Sequence, residues 1–395
     1  MWFFNSPRII FGRESVDQLA NSLYVTGTKA FIVTDKDLVK LKKVDIVTSK
    51  LKEASIEYQI FDGVLPDPPV SVVKAGAEKC VKYAPDLIIA LGGGSSIDTA
   101  KAIWVLYEAG LDFDINGLNP FVAIPTGTKA KLIAIPTTSG TGAETTSAVV
   151  LTDDATGLKL ELLNKATIPW MAIVDPIFVD EMPKKLTSST AFDAIGHCIE
   201  NICGKWNNIY SEGLAGVALR LLFKHLPAAY EKSDPDAREA VHNAATIAGL
   251  SFGNAQVHLG HSIAHALGGT FHIPHGFGVG LALPYVMQYV IKHDENSVKV
   301  FSNTAKVMGI AEWKDTDAAA ANMLLKAVQD LQKKVDFPTK LVDLGITKEN
   351  LDTNIDKFIE LILQSGAISI TPVDVTSDII KKILYCMVDG KAIDF

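Results

Sequence analysis

The sequence predicts two domains, a doubly wound α/β domain over residues 1–182 and an all-helical domain over residues 183–395. In the first half, short apolar runs with β-branched residues alternate with segments of helical periodicity, which is typical of a parallel sheet covered by helices. After about Pro183 the strand patterns fade and helical periodicity continues to the end of the chain. A length of 395 residues is comfortable for two domains of this kind.

Apolar runs predict the strands of the first domain. They cover residues 29–34, 57–61, 87–91, 121–124, 132–135 and 171–174. Apolar residues at helical spacing predict the helices between them, at residues 37–54, 70–83 and 97–108. In the second domain the same spacing, punctuated by prolines, predicts helices at residues 186–203, 211–230, 237–252, 278–293, 298–308, 316–333, 348–364 and 377–388.

Composition and charge exclude several classes of function. The net charge of −8 argues against a nucleic-acid binder, because neutralising phosphates requires a basic surface. The N-terminal residues lack the basic start and apolar core of a signal peptide. The longest charge-free apolar run, residues 278–291, is too short to span a bilayer. Four scattered cysteines without a CxxC pair favour a cytoplasmic protein over a disulfide framework.

Three segments at the ends of predicted strands have the character of a cofactor site, since such sheets bind ligands at the carboxyl ends of their strands. Residues 92–98, GGGSSID, lie between a strand and a helix, where backbone N–H groups can approach a diphosphate. They do not form the GxGxxG fingerprint. Asp35 follows the first predicted strand and could accept hydrogen bonds from a ribose. Residues 136–144, PTTSGTGAE, offer small hydroxyls and glycines for close contact with a cofactor.

The second domain contains a concentration of metal-ligand residues. Five of the nine histidines lie between His258 and His275. His258, His261 and His265 are spaced i, i+3, i+7, so a helix places them on one face. We expect the following GGT to interrupt the helical pattern and a loop to present His275. Earlier in the chain, in the helix predicted at residues 186–203, Asp193 is followed at i+4 by a histidine.

Asp193 and His197 therefore share a helix face, and with His261 and His275 they form the predicted metal-ligand set. One carboxylate and three imidazoles suit Fe(II) or Zn(II) and leave room for a substrate oxygen. His265 lies one turn beyond His261, where it could act in proton transfer. His258 and His272 receive no chemical role.

Taken together, these segments resemble the iron-dependent, or group III, alcohol dehydrogenases. The resemblance rests on GGGSSIDTAK, PTTSGTGAE, DPIFVDEMP, FDAIGHCIE and HSIAHALGGTFHIPHG, at residues 92–101, 136–144, 175–183, 192–200 and 261–276. It extends from about Phe11 to Pro284 and fades in the C-terminal helices. It implies a Rossmann-like domain followed by an all-helical domain, the architecture shared with dehydroquinate synthase.

The resemblance also implies roles for individual residues. It implies the same four metal ligands, with His265 close to the nicotinamide as the catalytic residue. For the cofactor, it implies that the diphosphate is held by Gly93, Gly94 and Ser95, and that the loop residues lining the cofactor are Thr137, Thr138 and Thr141. It also implies that Asp98 points towards the nicotinamide and that Lys159 reaches the nicotinamide-side ribose. By the same resemblance, Val179 lies against the adenine. Asp35 lies where NAD-preferring members carry an acid, which favours NAD over NADP.

Two positions depart from the family pattern. Asp67, in LPDPP, replaces an asparagine that is common at this cofactor-facing turn. His258 occupies a position where the family usually has a small or apolar residue, and we expect it to narrow the substrate pocket or to add a polar contact there.

The predicted activity is reversible hydride transfer between a small primary alcohol or diol and nicotinamide. A zinc-dependent polyol dehydrogenase is the nearest alternative, although such enzymes typically use one Asp and two His. A lyase related to dehydroquinate synthase is a further alternative. Metal-dependent hydrolysis would require a general-base Glu beside the histidines, as in HExxH, and the sequence contains none. The family resemblance also implies a homodimer.

Overall fold

The computed structural model describes residues 3–395. The chain forms two compact units, of which the first ends at Met182 and the second begins at Pro183.

A parallel sheet of six strands forms the centre of the first unit. The strands are β1 Arg8–Phe11, β2 Lys29–Val33, β3 Glu57–Phe61, β4 Leu87–Gly92, β5 Lys131–Pro136 and β8 Met171–Val174, in the order β1-β8-β5-β4-β2-β3. From β2 the chain continues to β3 on one side and then returns to β4 on the other. This is the switch point at which doubly wound sheets bind their ligands. The predicted α/β fold of this domain is confirmed.

Helices cover the sheet on both faces. They are α1 Lys36–Lys40, α2 Lys43–Glu53, α3 Val70–Tyr83 and α4 Gly94–Ala109. Along β2, Phe31 and Val33 pack into one apolar core, whereas Ala30 and Ile32 pack into a second core on the opposite face. Burial on both faces explains why these strands are continuous apolar runs rather than alternating patterns.

The structure of this unit differs from the sequence predictions in four places. Residues 121–124 form no strand and are irregular, with a turn only at Phe121. The predicted helix 37–54 is broken at Lys42, whose φ of 59° is incompatible with a continuous helix. Strand β1 and the antiparallel hairpin of β6 Ala148–Thr152 and β7 Lys159–Leu163 were not predicted. β1 is short and pairs with β8, whose residues lie far away in the sequence, so no local pattern indicates it.

The second unit consists of helices around one apolar core. These are α5 Lys184–Cys203, α6 Ile209–Glu231, α7 Pro235–Phe252, α8 Leu259–Phe271, α9 His275–His293, α10 Glu295–Val307, α11 Asp317–Lys334, α12 Lys348–Gln364 and α13 Ser377–Asp389. The core includes the fully buried rings of Phe192, Phe301 and Phe358. Within residues 3–395, no helix has the length and apolar composition needed to cross a membrane. The predicted all-helical fold of this domain is confirmed.

The segment between His265 and His275 differs from the prediction that the helix is interrupted at GGT and that a loop presents His275. Helix α8 continues through Gly268, Gly269 and Thr270 to Phe271. His272 ends it in the left-handed conformation, with φ 55°. His275 is the first residue of α9, directly after the N-cap Pro274, and does not lie in a loop. Helix α9 packs against both α5 and α8, and this packing fixes the direction of its first turn.

Candidate functional site

Helix α5 presents Asp193 and His197 on one buried face. Both side chains are almost completely inaccessible, and one helical turn separates them. Gly196, between them, allows α9 to approach, because a Cβ at this position would lie 2.3 Å from Val279 Cγ1. The predicted i, i+4 pair therefore faces the helices that carry the other histidines.

Three imidazole nitrogens surround a single oxygen of Asp193. Its Oδ1 lies 3.6 Å from His197 Nε2, 3.5 Å from His261 Nε2 and 3.3 Å from His275 Nε2. Ligand atoms of Asp193, His261 and His275 all lie within 4.8 Å of one another. His197 adjoins this group, and its ring stacks on that of His261 with centroids 4.8 Å apart.

These residues fit a metal ion. Asp193 Oδ1 and His261 Nε2 are buried and have no hydrogen-bond partner. A buried polar atom without a partner is costly unless another species satisfies it. A tetrahedral ion with ligands at 2.0–2.2 Å places its ligand atoms about 3.4 Å apart. The contacts of Asp193 with the three imidazoles match that separation, and the oxygen and nitrogen donors suit Fe(II) or Zn(II).

Glu200 contacts the nitrogen of His261 that does not face Asp193. Glu200 Oε2 lies 2.8 Å from His261 Nδ1, so Nδ1 carries the proton and Nε2 points towards Asp193. Burial lowers the pKa of His261, but the carboxylates of Glu200 and Asp193 outweigh burial and raise it to about 9. Burial would raise the pKa of Asp193, but the surrounding histidines hold it well below its usual value. A cation that binds His261 Nε2 must therefore displace a proton.

His197 has a different electrostatic environment. Burial lowers its pKa to about 3, and the attraction of Asp193 only partly opposes this. Its ring stacks with that of His261 and with that of Phe252, whose centroid is 3.8 Å away. A neutral imidazole is the form that binds metals, so the environment keeps His197 ready to act as a ligand.

The remaining histidines of the cluster differ in their surroundings. The His265 ring stacks against that of His275, with centroids 5.1 Å apart, and His265 is partly exposed. His258 is the N-cap of α8 and is buried against Cys203, with Nε2 3.2 Å from Sγ. Its ring therefore packs within the helical unit, and the expectation that it narrows a substrate pocket is not supported. His272 is exposed.

In the first unit, the two predicted cofactor loops pack against each other. Thr137 N–H donates to the carbonyl of Gly92 at 3.0 Å. A Cβ on Gly93 would lie 3.1 Å from Thr138 Cγ2, and one on Gly94 would lie 2.9 Å from Thr141 Cγ2. These glycines are needed for the close approach of the loops. The loops follow neighbouring strands β4 and β5.

The start of α4 fits an anionic group. Its N-cap is Gly93, no side chain caps its N–H groups, and no acidic residue lies in its first turn. Free N–H groups and the helix dipole favour a phosphate at such a position. Ser95 lies in this first turn. The arrangement suits the diphosphate of a dinucleotide.

Asp35 and Asp98 lie near the same edge of the sheet and make different contacts. Asp35 follows β2, and its Oδ1 caps α1 by accepting from the N–H groups of Asp37 and Leu38, each at 2.9 Å. Asp98 is buried in α4, where its Oδ2 accepts from Val150 N–H at 3.0 Å. Its Oδ1 is 3.7 Å from the ammonium group of Lys101. Burial raises the pKa of Asp98, although Lys101 opposes this.

Lys159 forms an ion pair with Asp67, the residue that replaces the family's asparagine. Asp67 adopts the left-handed conformation, with φ 51°. The hairpin that carries Lys159 is tied to the same turn, because Thr152 N–H donates to the Pro68 carbonyl at 2.9 Å. Val179 is buried just after the short 3₁₀ helix Pro176–Phe178, beyond the end of β8.

Sequence reasoning missed two buried charged residues of these sites. Glu200 follows Asp193 and His197 at i+7 and i+3, so helical spacing alone could have identified it as part of the same face. Lys101 is fully buried and donates to the carbonyls of Thr146 and Ala148 at 2.9 and 2.8 Å. No local pattern predicts that a lysine of α4 binds the segment that follows the second predicted cofactor loop.

Family models and individual relatives agree with this arrangement. Residues 6–176 match the model "Iron-containing alcohol dehydrogenase", and residues 187–387 match "Fe-containing alcohol dehydrogenase family, C-terminal". The NADPH-dependent butanol dehydrogenase of Clostridium saccharobutylicum is 36% identical over 397 residues, covering 100% of both chains. The 1-propanol dehydrogenase PduQ of Citrobacter freundii is 32% identical, covering 94% of this chain and 95% of its own.

A solved 1,3-propanediol oxidoreductase superposes with a TM-score of 0.91 at 29% identity, covering 98% of this chain and 99% of that chain. The chain belongs to the iron-containing alcohol dehydrogenase family. It is a metal-dependent oxidoreductase that acts on alcohols, as the sequence predicts. The alternatives of a zinc polyol dehydrogenase and a dehydroquinate synthase-like lyase are not favoured.

Proposed function

We propose that this protein transfers a hydride between a small primary alcohol or diol and NAD, at a metal centre formed by Asp193, His197, His261 and His275. The observation that carries this proposal is the buried Asp193 Oδ1, which has three imidazole nitrogens within 3.6 Å and no hydrogen-bond partner. In this proposal residues 1–182 bind the dinucleotide, and residues 183–395 bind the metal and the substrate.

Each group of residues has a defined task. A metal at this site, Fe(II) in preference to Zn(II), would polarise the oxygen of an alcohol or aldehyde. A nicotinamide cofactor supplies the hydride chemistry, and the protein supplies position and orientation. Asp193 provides the negative charge of the centre. His275, with 37% of its side chain exposed, is the ligand residue that faces the accessible side of the centre.

The cofactor would be held by the loops after β2, β4 and β5. Gly93, Gly94 and Ser95 offer backbone N–H groups to the diphosphate, and Thr137, Thr138 and Thr141 line the same region. Asp98 lies in α4, Lys159 is the first residue of β7, and Val179 follows β8. Asp98 would lie towards the nicotinamide, Lys159 towards its ribose and Val179 towards the adenine.

The direct test is cofactor reduction by the reconstituted enzyme. Purified protein loaded with Fe(II) or Zn(II) is mixed with NAD and a panel of alcohols from ethanol to butanol and 1,3-propanediol. We expect alcohol-dependent absorbance of reduced nicotinamide, which disappears when a chelator removes the metal. Absence of turnover with NAD and NADP, in both directions and with either metal, would contradict the proposal.

Asp35 supports NAD as the preferred cofactor, because a carboxylate at the end of β2 repels a 2′-phosphate. We expect Asp35→Ser to raise kcat/KM with NADP by about tenfold, equivalent to about 1.4 kcal/mol. Serine retains the N-cap of α1, so the helix should remain intact. The control is Asp37→Ser, which removes a neighbouring exposed carboxylate from the same helix. Equal effects of the two substitutions would exclude a specific role for Asp35.

His265 is proposed to carry the alcohol proton to solvent, because its ring stacks on His275 and remains partly exposed. We expect His265→Ala to retain its metal but to lose about 10²- to 10⁴-fold in kcat, the range typical of general acid–base groups. Metal content and a pH–rate profile are the measurements. His272→Asn is the control, since asparagine tolerates the left-handed conformation there. Full activity of His265→Ala would exclude this role.

Homodimeric assembly and a cytoplasmic location are further proposals. The first rests on the family resemblance. The second is supported by the four cysteines, all of which are free and three of which are buried. Light scattering of the purified protein tests the assembly.

A further inference from the structure

Glu200 is a buried carboxylate to which the mechanism proposed above assigns no role. Its residue is 1% exposed, and it lies on α5, the helix that carries Asp193 and His197. Oε2 accepts from His258 N–H at 2.8 Å, and Oε1 accepts from Gly260 N–H at 2.6 Å. The third donor is the imidazole of His261, whose Nδ1 is 2.8 Å from Oε2. All three donors belong to the start of α8, so one carboxylate attaches the beginning of this helix to α5.

This arrangement determines which nitrogen of His261 is available to a metal. Because an ionised carboxylate only accepts hydrogen bonds, Nδ1 must carry a proton. When the imidazole is neutral, the lone pair is then on the other nitrogen, Nε2, which faces Asp193 Oδ1 at 3.5 Å. If the proton were on Nε2 instead, that nitrogen could not act as a metal ligand. A hydrogen bond to the far side of a ligand histidine fixes both its tautomer and its ring orientation.

The neighbouring residues are arranged to leave Glu200 to these three donors. A Cβ on residue 260 would lie 2.1 Å from Glu200 Oε1, so only glycine fits there. His258 Nδ1 accepts from Leu259 N–H at 2.9 Å and therefore carries no proton. Its Nε2–H is directed at Cys203 Sγ, 3.2 Å away. His258 is thus fixed in a tautomer that does not compete with His261 for Glu200, although its Nδ1 is only 3.7 Å from Oε1.

We propose that Glu200 is a positioning residue of the metal centre, which holds His261 in the tautomer and orientation that present Nε2 to the ion. The proposal rests on the metal centre inferred above, and it concerns a residue that does not itself touch the ion. Metal affinity and the geometry around the ion should therefore depend on Glu200, even though all four ligand residues are present in its variants.

The test compares Glu200→Gln with the wild type. Glutamine has the same shape but only one acceptor oxygen, so in either orientation its amide N–H group meets another N–H donor. We expect the affinity for Co(II), measured by competition with a chelator, to fall about 10- to 100-fold. The visible absorption of bound Co(II), which reports the ligand geometry, should also change. Neither measurement depends on turnover.

Glu108→Gln is the matched control. Glu108 is also buried, and it accepts from the N–H groups of Gly127, Lys129 and Ala130 at 3.0–3.1 Å. It lies in α4 of the first unit, on a different helix from the four proposed ligands. The same substitution there should reduce thermal stability without changing Co(II) affinity or absorption. If both variants weaken Co(II) binding equally, or if Glu200→Gln binds Co(II) like the wild type, the proposal is overturned.

Comparison with Asp193→Ala distinguishes a failure of the proposed role of Glu200 from a failure of the proposed metal centre. If wild-type protein and Asp193→Ala bind Co(II) equally, the metal centre itself is wrong. If only Asp193→Ala loses binding, the centre stands and the role of Glu200 fails. If Glu200→Gln does not fold, nitrogen NMR of the zinc-loaded wild type tests the proposal instead. We expect the signal of a protonated Nδ1, which is assigned to His261 because it is absent from the spectrum of His261→Gln. A metal-bound Nδ1 at His261 overturns the proposal.

Discussion

Asp193→Ala is expected to abolish metal binding and to lower turnover by at least about a thousandfold, or about 4 kcal/mol of transition-state stabilisation. Asp193 is the single carboxylate at the centre of three imidazoles, each within 3.6 Å of Oδ1. Without it, three neutral nitrogen ligands would surround a buried ion, and none of them would balance its charge. The metal content after dialysis and the kcat of the reconstituted variant are the measurements.

Thermal stability provides an independent readout of the same substitution. A ligand that binds only the folded state stabilises it by RT ln(1 + [L]/Kd). The wild type should therefore melt at a higher temperature when Fe(II) or Zn(II) is added, whereas Asp193→Ala should not respond. Asp193→Asn is a useful companion, since it keeps the shape and removes the charge. A stoichiometric, retained metal in Asp193→Ala would mean that the ion binds elsewhere.

Gly276→Ala is expected to have the second largest effect, on both stability and metal binding. A Cβ at this position would lie 2.2 Å from the backbone oxygen of Ser189 and 2.6 Å from its carbonyl carbon. Because these are backbone atoms inside α5, they cannot rotate away, and the first turn of α9 must move instead. That turn carries His275, whose Nε2 is 3.3 Å from Asp193 Oδ1. A displacement of even about 1 Å takes the ligand outside the tolerance of a metal site.

The expected loss for Gly276→Ala is about 1–3 kcal/mol in the free energy of unfolding, the usual range for overpacking, together with weaker metal binding. Urea unfolding of the metal-free protein and chelator competition measure the two effects separately. Gly213→Ala is the control, since Gly213 is an exposed glycine within α6 and an added Cβ meets nothing within 4 Å. That substitution should stabilise the protein by about 0.5–1 kcal/mol. Wild-type metal affinity in Gly276→Ala would refute the expected shift of His275.

The sequence predicts those parts of the molecule that depend on local spacing. Asp193 and His197 are one turn apart in any helix, so their shared face follows from the pattern alone. In the same way, a polar or glycine-rich loop that follows an apolar run is predicted to lie at the carboxyl end of a strand in a parallel sheet. The structure places the loops after β2, β4 and β5 on three adjacent strands, which agrees with that reasoning.

Contacts between segments distant in the sequence could not be predicted in this way. Glu200 and His261 are 61 residues apart, and nothing local to either residue indicates their hydrogen bond. The same limit applies to β1, whose partner β8 begins at Met171. Glycine and proline before His275 predict a loop, but packing of α9 on α5 and α8 allows the helix to begin at that residue.

The composition of α5 has a consequence for redesign. In the proposed metal centre, this single helix would supply the oxygen ligand Asp193, the nitrogen ligand His197 and the carboxylate of Glu200, which contacts a third proposed ligand, His261, on α8. Redesign of the alcohol specificity should therefore leave the sequence of α5 unchanged or exchange the whole helix with that of a relative. Variation is better directed at partly exposed positions on α8, such as Gly269, where an added Cβ meets nothing within 4 Å.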